Sequence, residues 1–312
     1  MLSPRVPLFL AVAAASAASV AGQQSSQQPV FSSGTGVVNV TLTVRDAQGR
    51  LISDLKQDEF VVQEDGRPQV VQVFARAVEP GPNETLALDL GLLLDTSESM
   101  IKMLKLSQEA AVRFLESIPR ARDLITIFFD EDIRLSRYDS ENQQGLIERI
   151  ETIKGGGLTA LYDAIAVYLA RVQDANGRKV LVLFTDGEDS RSAIGLGDLL
   201  QAIRSSAVTI YPIGIMGGFP SGSTRLLQSR AFLQQIADIT GGQLFTPSTS
   251  KDLGLIYQKI LDELSAQYVI GFVSDNPRQD GRFRKLRVDV RRDGLKVRHR
   301  TGYFAPVPVA SR

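Results

Sequence analysis

The chain has 312 residues, no cysteine and one histidine, and its 35 Lys and Arg balance its 35 Asp and Glu. With 43% apolar and 22% charged residues it has a globular composition, long enough for about two domains, and disorder and fibrous repeats are excluded. The missing cysteines exclude disulfide frameworks, zinc–cysteine and iron–sulfur sites and cysteine nucleophiles. The single His299 rules out His-rich metal sites and leaves a Ser-His-Asp triad hanging on one residue near the chain end.

In chain order, the first residues read as an export signal. Arg5 is a short positive region, Val6 to Val20 is apolar and Ala-rich, and Ser19-Val20-Ala21 offers small residues for cleavage after Ala21. Residues 1–21 are therefore expected to be removed, leaving an exported, periplasmic or secreted protein whose lack of cysteine suits a bacterial envelope. Residues 22–36, rich in Gln, Ser and Gly, read as a flexible linker.

From Val38 the pattern has period two: Val38, Val40, Leu42 and Val44 alternate with polar residues, as in a half-buried strand. Phe60-Val61-Val62 and Val70 to Phe74 read as two further strands, with Asp65-Gly66 as the turn signal between them. Glu79-Pro80-Gly81-Pro82-Asn83 then breaks the pattern. Beyond it Leu88–Leu94, Leu124–Phe129, Val180–Phe184 and Val208–Ile215 read as strands, the first three nearly continuous apolar runs of the kind covered on both faces. Helical patterns lie between and after them, near Met103–Leu115, Leu146–Ile153, Ala160–Val172, Leu199–Ser206, Phe232–Ile239 and Leu253–Ala266. This order predicts an α/β, doubly wound, mostly parallel sheet. Period two returns at Tyr268–Val273, Lys285–Arg291 and Leu295–Arg300, the last two joined by an Asp293-Gly294 turn and read as a hairpin. Both chain ends thus predict one small β-sandwich, 37–84 plus 268–305, with the α/β domain (85–267) inserted and a tail at 306–312.

Three segments carry the chemistry. Asp95-Thr96-Ser97-Glu98-Ser99 follows the first buried strand, Gly155-Gly156-Gly157-Leu158-Thr159 precedes a helix, and Thr185-Asp186-Gly187 follows the third buried strand. Ligands of open parallel sheets gather outside the carboxyl ends of the strands, where Asp95 and Asp186 are placed. Hydroxyls and carboxylates there suit a hard cation such as Mg²⁺, which takes six oxygens. Ser99 or Thr159 alone would read as a helix cap, but capping does not call for two strand-end aspartates.

This set resembles the von Willebrand factor type A domain with its metal-ion-dependent adhesion site, over about Leu86 to Ala266. With Asp65-Gly66-Arg67-Pro68 upstream and Thr301-Gly302-Tyr303-Phe304 at the end, the mature chain looks like the bacterial VWFA-related proteins abundant in Acidobacteria. The resemblance implies a metal set of Asp95, Ser97, Ser99, Thr159 and Asp186 holding Mg²⁺ or Mn²⁺. Ser97, Ser99 and Thr159 would give hydroxyls to the ion, and the two aspartates would act largely through water and by orienting those hydroxyls. It also implies a non-enzymatic module that binds a protein partner donating an acidic residue to the metal.

The alternative is a metal-dependent hydrolase using the same site. Ser99-Met100-Ile101-Lys102 matches the Ser-x-x-Lys of penicillin-binding proteins, but the accompanying Ser-Asp-Asn and Lys-Thr-Gly are absent. Asp130-Glu131-Asp132 lacks calcium-loop spacing and reads as a solvated turn. The arginines between Arg278 and Arg300 read as a solvated strand face, and His299 as a packed or hydrogen-bonded residue.

Overall fold

The computed structural model describes residues 36–77, 87–118, 121–138, 143–172, 177–217, 219–220, 222–247 and 249–307. The segments expected to be an export signal and, almost entirely, a linker, together with the break at Glu79–Asn83 and the end of the expected tail, lie outside them. Alternation makes β1 (Val37–Arg45), which turns Val40, Leu42 and Val44 inward. β2 (Phe60–Glu64) and β3 (Arg67–Gln69) form a tight hairpin in which Asp65 and Gly66 both take positive φ, 48° and 81°. That backbone fits the right-handed twist of the flanking strands. The strand expected over Val70–Phe74 is displaced. After β3 the chain leaves this sheet, Val70 stands 75% exposed, and β4 (Val73–Arg76) joins the opposite sheet.

The middle of the chain alternates as its apolar pattern requires: β5 (Leu88–Asp95), α1 (Ile101–Ser117), β6 (Asp123–Phe129), β7 (Ile133–Tyr138), α2 (Gln143–Thr152), α3 (Leu161–Arg171), β8 (Arg178–Thr185), α4 (Leu196–Ser205), β9 (Val208–Gly214), α5 (Thr224–Thr240) and α6 (Ser250–Ser265). The sheet order is β7-β6-β5-β8-β9, parallel except for β7. β7 is a half-exposed edge strand with no continuous apolar run to reveal it. Leu90, Leu92 and Leu94 pack on α1, α2 and α6, while Leu93, Ile125 and Ile127 pack on α3, α4 and α5. α5 begins well before the expected Phe232. Ser223 caps it by accepting from the Leu226 N–H, and Gly241 ends it at φ 77°.

The chain end supplies β10 (Tyr268–Val273), β11 (Phe283–Val290), β12 (Lys296–His299) and β13 (Gly302–Phe304). Two antiparallel sheets result, β12-β1-β10-β4 and β13-β11-β2-β3, around a common core that includes Leu42, Val62, Tyr268, Ile270 and Val288. The hairpin expected across Asp293-Gly294 is corrected here. β11 pairs with β2 and β13, whereas β12 pairs with β1, so the turn carries the chain between sheets. In facing sheets the apolar sides of β11 and β12 bury against each other, which neighbours in one sheet cannot do.

The arginine-rich end is also less solvated than its alternation suggests. Arg284 is 3% exposed and pairs with buried Glu64 at 3.2 Å, and Tyr303 donates to the same carboxylate at 2.6 Å. Arg298 reaches Glu263 of α6, which is fully buried and also accepts from Arg45 at 2.8 Å and from the Tyr211 hydroxyl at 2.5 Å. This network joins the sandwich to the α/β layers.

Candidate functional site

β5 runs buried to its last residue, so Asp95 emerges at the carboxyl edge of the sheet with no solvent exposure. Its Oδ1 accepts from the Ser97 N–H at 3.0 Å and the Ser97 hydroxyl at 2.5 Å. Its Oδ2 accepts from the Thr185 hydroxyl at 2.7 Å, at the end of β8, and Thr185 Oγ1 in turn accepts from the Gly187 N–H at 3.0 Å. Thr185 thus ties both aspartate-bearing loops together. Ser97 Oγ lies 3.2 Å from Ser99 Oγ, and Asp186 accepts from the Glu188 N–H at 3.0 Å. Asp95, Ser97 and Ser99 therefore form one hydrogen-bonded chain, with the Ser99 hydroxyl near enough to Asp186 to act against the larger effect of burial on its carboxyl.

Thr159 reaches the same rim from the third segment. Its N–H donates to Ser190 Oγ at 3.0 Å and its carbonyl accepts from the Ser190 and Arg191 N–H groups at 2.9 and 3.0 Å. The glycines before it are zipped to the first loop: Gly156 N–H donates to the Thr96 carbonyl and Gly157 carbonyl accepts from the Glu98 N–H. Gly157 sits at φ 79°, and a Cβ at Gly155 would stand 3.0 Å from the Thr96 carbonyl, so both positions need glycine.

The solvated turn expected at Asp130 proves to be part of this scaffold. Asp130 is 8% exposed and accepts from Arg134 at 2.5 Å, from the Thr96 hydroxyl at 3.2 Å and from the Asp132 N–H at 2.9 Å. Against the desolvation of burial, the Arg134 and other hydrogen bonds hold its carboxyl below the usual range. Its carbonyl accepts from the Ala160 N–H at 2.7 Å, next to Thr159. Its position at the end of buried β6, parallel to Asp95 on β5, is the signal that could have identified it. Asp189 is likewise committed, accepting from the Tyr162 N–H at 3.0 Å and the Ser192 hydroxyl at 2.5 Å.

The electrostatics of the cluster are unbalanced. Burial, with the charge of Asp186 adding to it, pushes the Asp95 carboxyl up to about 7, and burial also raises Asp186. Among the described residues neither aspartate has an ion-pair partner. Two buried carboxylates in that state call for a cation. Neighbouring oxygens of an octahedral Mg²⁺ shell at about 2.1 Å lie about 3 Å apart, and the Ser97–Ser99 hydroxyl separation of 3.2 Å fits that spacing. Among the described residues no three of His, Cys, Asp or Glu converge as a ligand group; the oxygens gathered at this edge are hydroxyls with carboxylates behind them. Beside it opens a cleft of about 1160 Å³ whose lining includes Ser99, Thr159, Tyr162 and Phe232.

His299, by contrast, serves the sandwich. Its Nε2 accepts from the Val288 N–H at 3.1 Å, past the end of short β13, and its Nδ1 lies 2.6 Å from the Arg300 carbonyl.

A doubly wound, mostly parallel sheet flanked by helices, with hydroxyls and two aspartates at its carboxyl edge, defines an open-sheet α/β domain. The family model for the von Willebrand factor type A domain matches residues 89–259, and the chain belongs to that family. Among solved structures it is similar to an aerotolerance-related membrane protein from Bacteroides fragilis, with 19% identity, a TM-score of 0.46, and 57% of this chain and 98% of that chain covered. A von Willebrand factor type A protein from Catenulispora acidiphila gives 13% identity and a TM-score of 0.47, covering 90% of this chain and 76% of that chain. The ArnB paralog VWA2 from Sulfolobus acidocaldarius gives 14% identity and a TM-score of 0.44, covering 88% and 76%. No curated protein matches the chain significantly. No helix among the described residues is long and apolar enough to cross a membrane.

Proposed function

We propose that this chain is an exported, non-enzymatic binding module that recognises a protein partner through Mg²⁺ or Mn²⁺ held by Asp95, Ser97, Ser99, Thr159 and Asp186. The observation that carries the reading is the pair of hydroxyls 3.2 Å apart between two buried aspartates that, among the described residues, pair with no Lys or Arg. Family membership supports it, since von Willebrand factor type A domains are generally interaction modules and commonly bind a divalent metal. Bound there, the ion would offer an open position to a carboxylate from the partner. The export signal in residues 1–21 supports a location outside the cytoplasm.

Two of the three neighbouring acids, Glu188 and Asp189, give the hydrolase alternative nothing, and Glu98 lines the cleft on the short turn before α1. Glu188 is held by Arg225 through two contacts of 2.5 Å, and Asp189 is spent on the Tyr162 N–H and Ser192. Neither is poised as a general base. Ser99 is engaged with Ser97, and Lys102 is exposed on α1.

Calorimetry with Mg²⁺ and Mn²⁺ tests the assignment on the full chain and on Thr159→Ala. Saturable binding by the wild type, lost in the variant with an unchanged circular dichroism spectrum, is the expected result. Equal binding by both would remove Thr159 from the set.

A further inference from the structure

The turn between β6 and β7 grips two of the three segments of the site. β7 returns antiparallel to β6 with Arg134 opposite Phe128, which brings a cation back to the carboxyl edge of the sheet. There Arg134 closes on Asp130 through two bonds, Nη1 to Oδ1 at 3.1 Å and Nη2 to Oδ2 at 2.5 Å, and the Asp132 N–H adds a third at Oδ1. Arg134 Nη2 also donates to the Thr96 hydroxyl at 3.0 Å. That hydroxyl lies 3.0 Å from the Phe129 carbonyl and 3.2 Å from Asp130 Oδ2, the two acceptors open to its proton. Thr96 is fully buried, so these bonds fix the first segment from behind. The Asp130 carbonyl meanwhile accepts from the Ala160 N–H at 2.7 Å, and a Cβ at Gly157 would stand 3.3 Å from the Glu131 side chain. The same turn therefore fixes the segment that carries Thr159. All these contacts go to residues flanking the proposed donors: Thr96 lies between Asp95 and Ser97, and Ala160 follows Thr159.

Resting on the metal reading above, we propose that Asp130 and Arg134 are positioning residues of the metal set, which fix the Ser97–Ser99 hydroxyls relative to Thr159 without touching the ion. An octahedral shell tolerates little error in where its oxygens stand. Two loops that leave different parts of the fold hold that spacing before the ion arrives only when a shell of partners behind them locks it. Removing such partners commonly weakens metal binding by about 10–100-fold. The arginine makes the idea testable. A positive charge at the rim of a cation site opposes binding, so on charge alone the loss of Arg134 tightens the site. On position, its loss frees Thr96 and weakens the site. The two accounts differ in sign.

The probe is Mg²⁺ alone, titrated by calorimetry into the full chain and into Arg134→Gln, Asp130→Asn, Thr96→Val and Thr96→Ser, each with a thermal melt beside it. Arg134→Gln should bind at least about tenfold more weakly than wild type, as should Asp130→Asn and Thr96→Val. Thr96→Ser, which keeps the hydroxyl, should bind within about twofold of wild type. Combining Arg134→Gln with Thr96→Val should cost no more affinity than either change alone, because both act through one hydroxyl. Thr96→Val alters no charge, so its comparison with Thr96→Ser keeps the test usable if Arg134→Gln fails to fold. An Arg134→Gln protein that binds Mg²⁺ as well as wild type, or better, overturns the proposal and leaves the metal reading standing. So do variants that melt lower yet keep wild-type affinity, which would make the pair a staple of the fold alone. Absence of Mg²⁺ binding by the wild type overturns the metal reading and this proposal with it.

Discussion

Asp95→Asn separates a metal site from a helix cap, because the first reading expects a stabilised metal-free variant that no longer responds to Mg²⁺ and the second expects little change in either state. An unperturbed aspartate titrates near 3.8, whereas burial, helped by Asp186, pushes Asp95 up to about 7 in the fold. Between those values the folded state keeps a proton that the unfolded state has released. The stability contributed by protonated Asp95 is therefore complete below 3.8 and is lost as pH rises through about 7. At about 1.4 kcal/mol per unit, that loss amounts to about 4 kcal/mol by roughly pH 8. Asparagine carries no charge and still accepts from Ser97, but it presents an amide to Thr185, a hydrogen-bond change of about 1 kcal/mol. Metal-free Asp95→Asn should then be about 3 kcal/mol more stable than wild type near pH 8, raising Tm by roughly 5 °C in a chain of this length. The advantage should vanish near the acid end of the range, where both carry a neutral group. Adding Mg²⁺ should reverse the order, since the wild type alone gains binding energy on folding. Thermal melts followed by circular dichroism, in EDTA and in Mg²⁺ across pH, measure all of this. A metal-free variant that melts below wild type near pH 8, or an equal Mg²⁺ shift in both, refutes the reasoning. A residue acting only as a cap would change little, because Asp and Asn cap equally well.

Burial lowers the His299 pKa below its usual 6.5, so the stability tied to its neutral form is present above 6.5 and is lost as pH falls below it. Against the Asp95→Asn background, which removes the carboxyl raised to about 7, adding His299→Gln should make the change of Tm on acidification from 6.5 less unfavourable. Glu263→Ala leaves Arg45 and Arg298 facing each other without their carboxylate. Loss of about 3–5 kcal/mol is expected, read as a lower urea midpoint at unchanged slope. A Cβ at Gly91 would lie 2.2 Å from the Tyr168 ring, so Gly91→Ala should cost at least the 1–3 kcal/mol typical of overpacking. An unchanged Tm in that variant would show that Tyr168 can swing away at no cost.

Much of the site was legible because buried parallel strands leave little freedom. An apolar run such as Leu88–Leu94 or Val180–Phe184 has to lie inside the sheet, and the residues just beyond its end have to emerge at the carboxyl edge, which places Asp95 and Asp186. Chain order alone likewise put a sandwich at the two ends and the α/β layers between them. Other features depend on partners remote in sequence. The apolar alternation of β11 and β12 is the same whether they lie side by side or in facing sheets, and only their pairing with β2 and β1 decides between them. Local pattern gives no hint that Asp130 bridges Thr96 and Arg134, that Thr185 clasps Asp95, or that Ser190 holds Thr159. Nor does it distinguish solvated arginines from Arg284 and Arg298, whose carboxylate partners lie on other elements. Periodicity records which face of an element is buried, because water and core act on each residue separately. Which groups meet across that buried face is set by the simultaneous closure of all the elements, and that is a property of the folded chain.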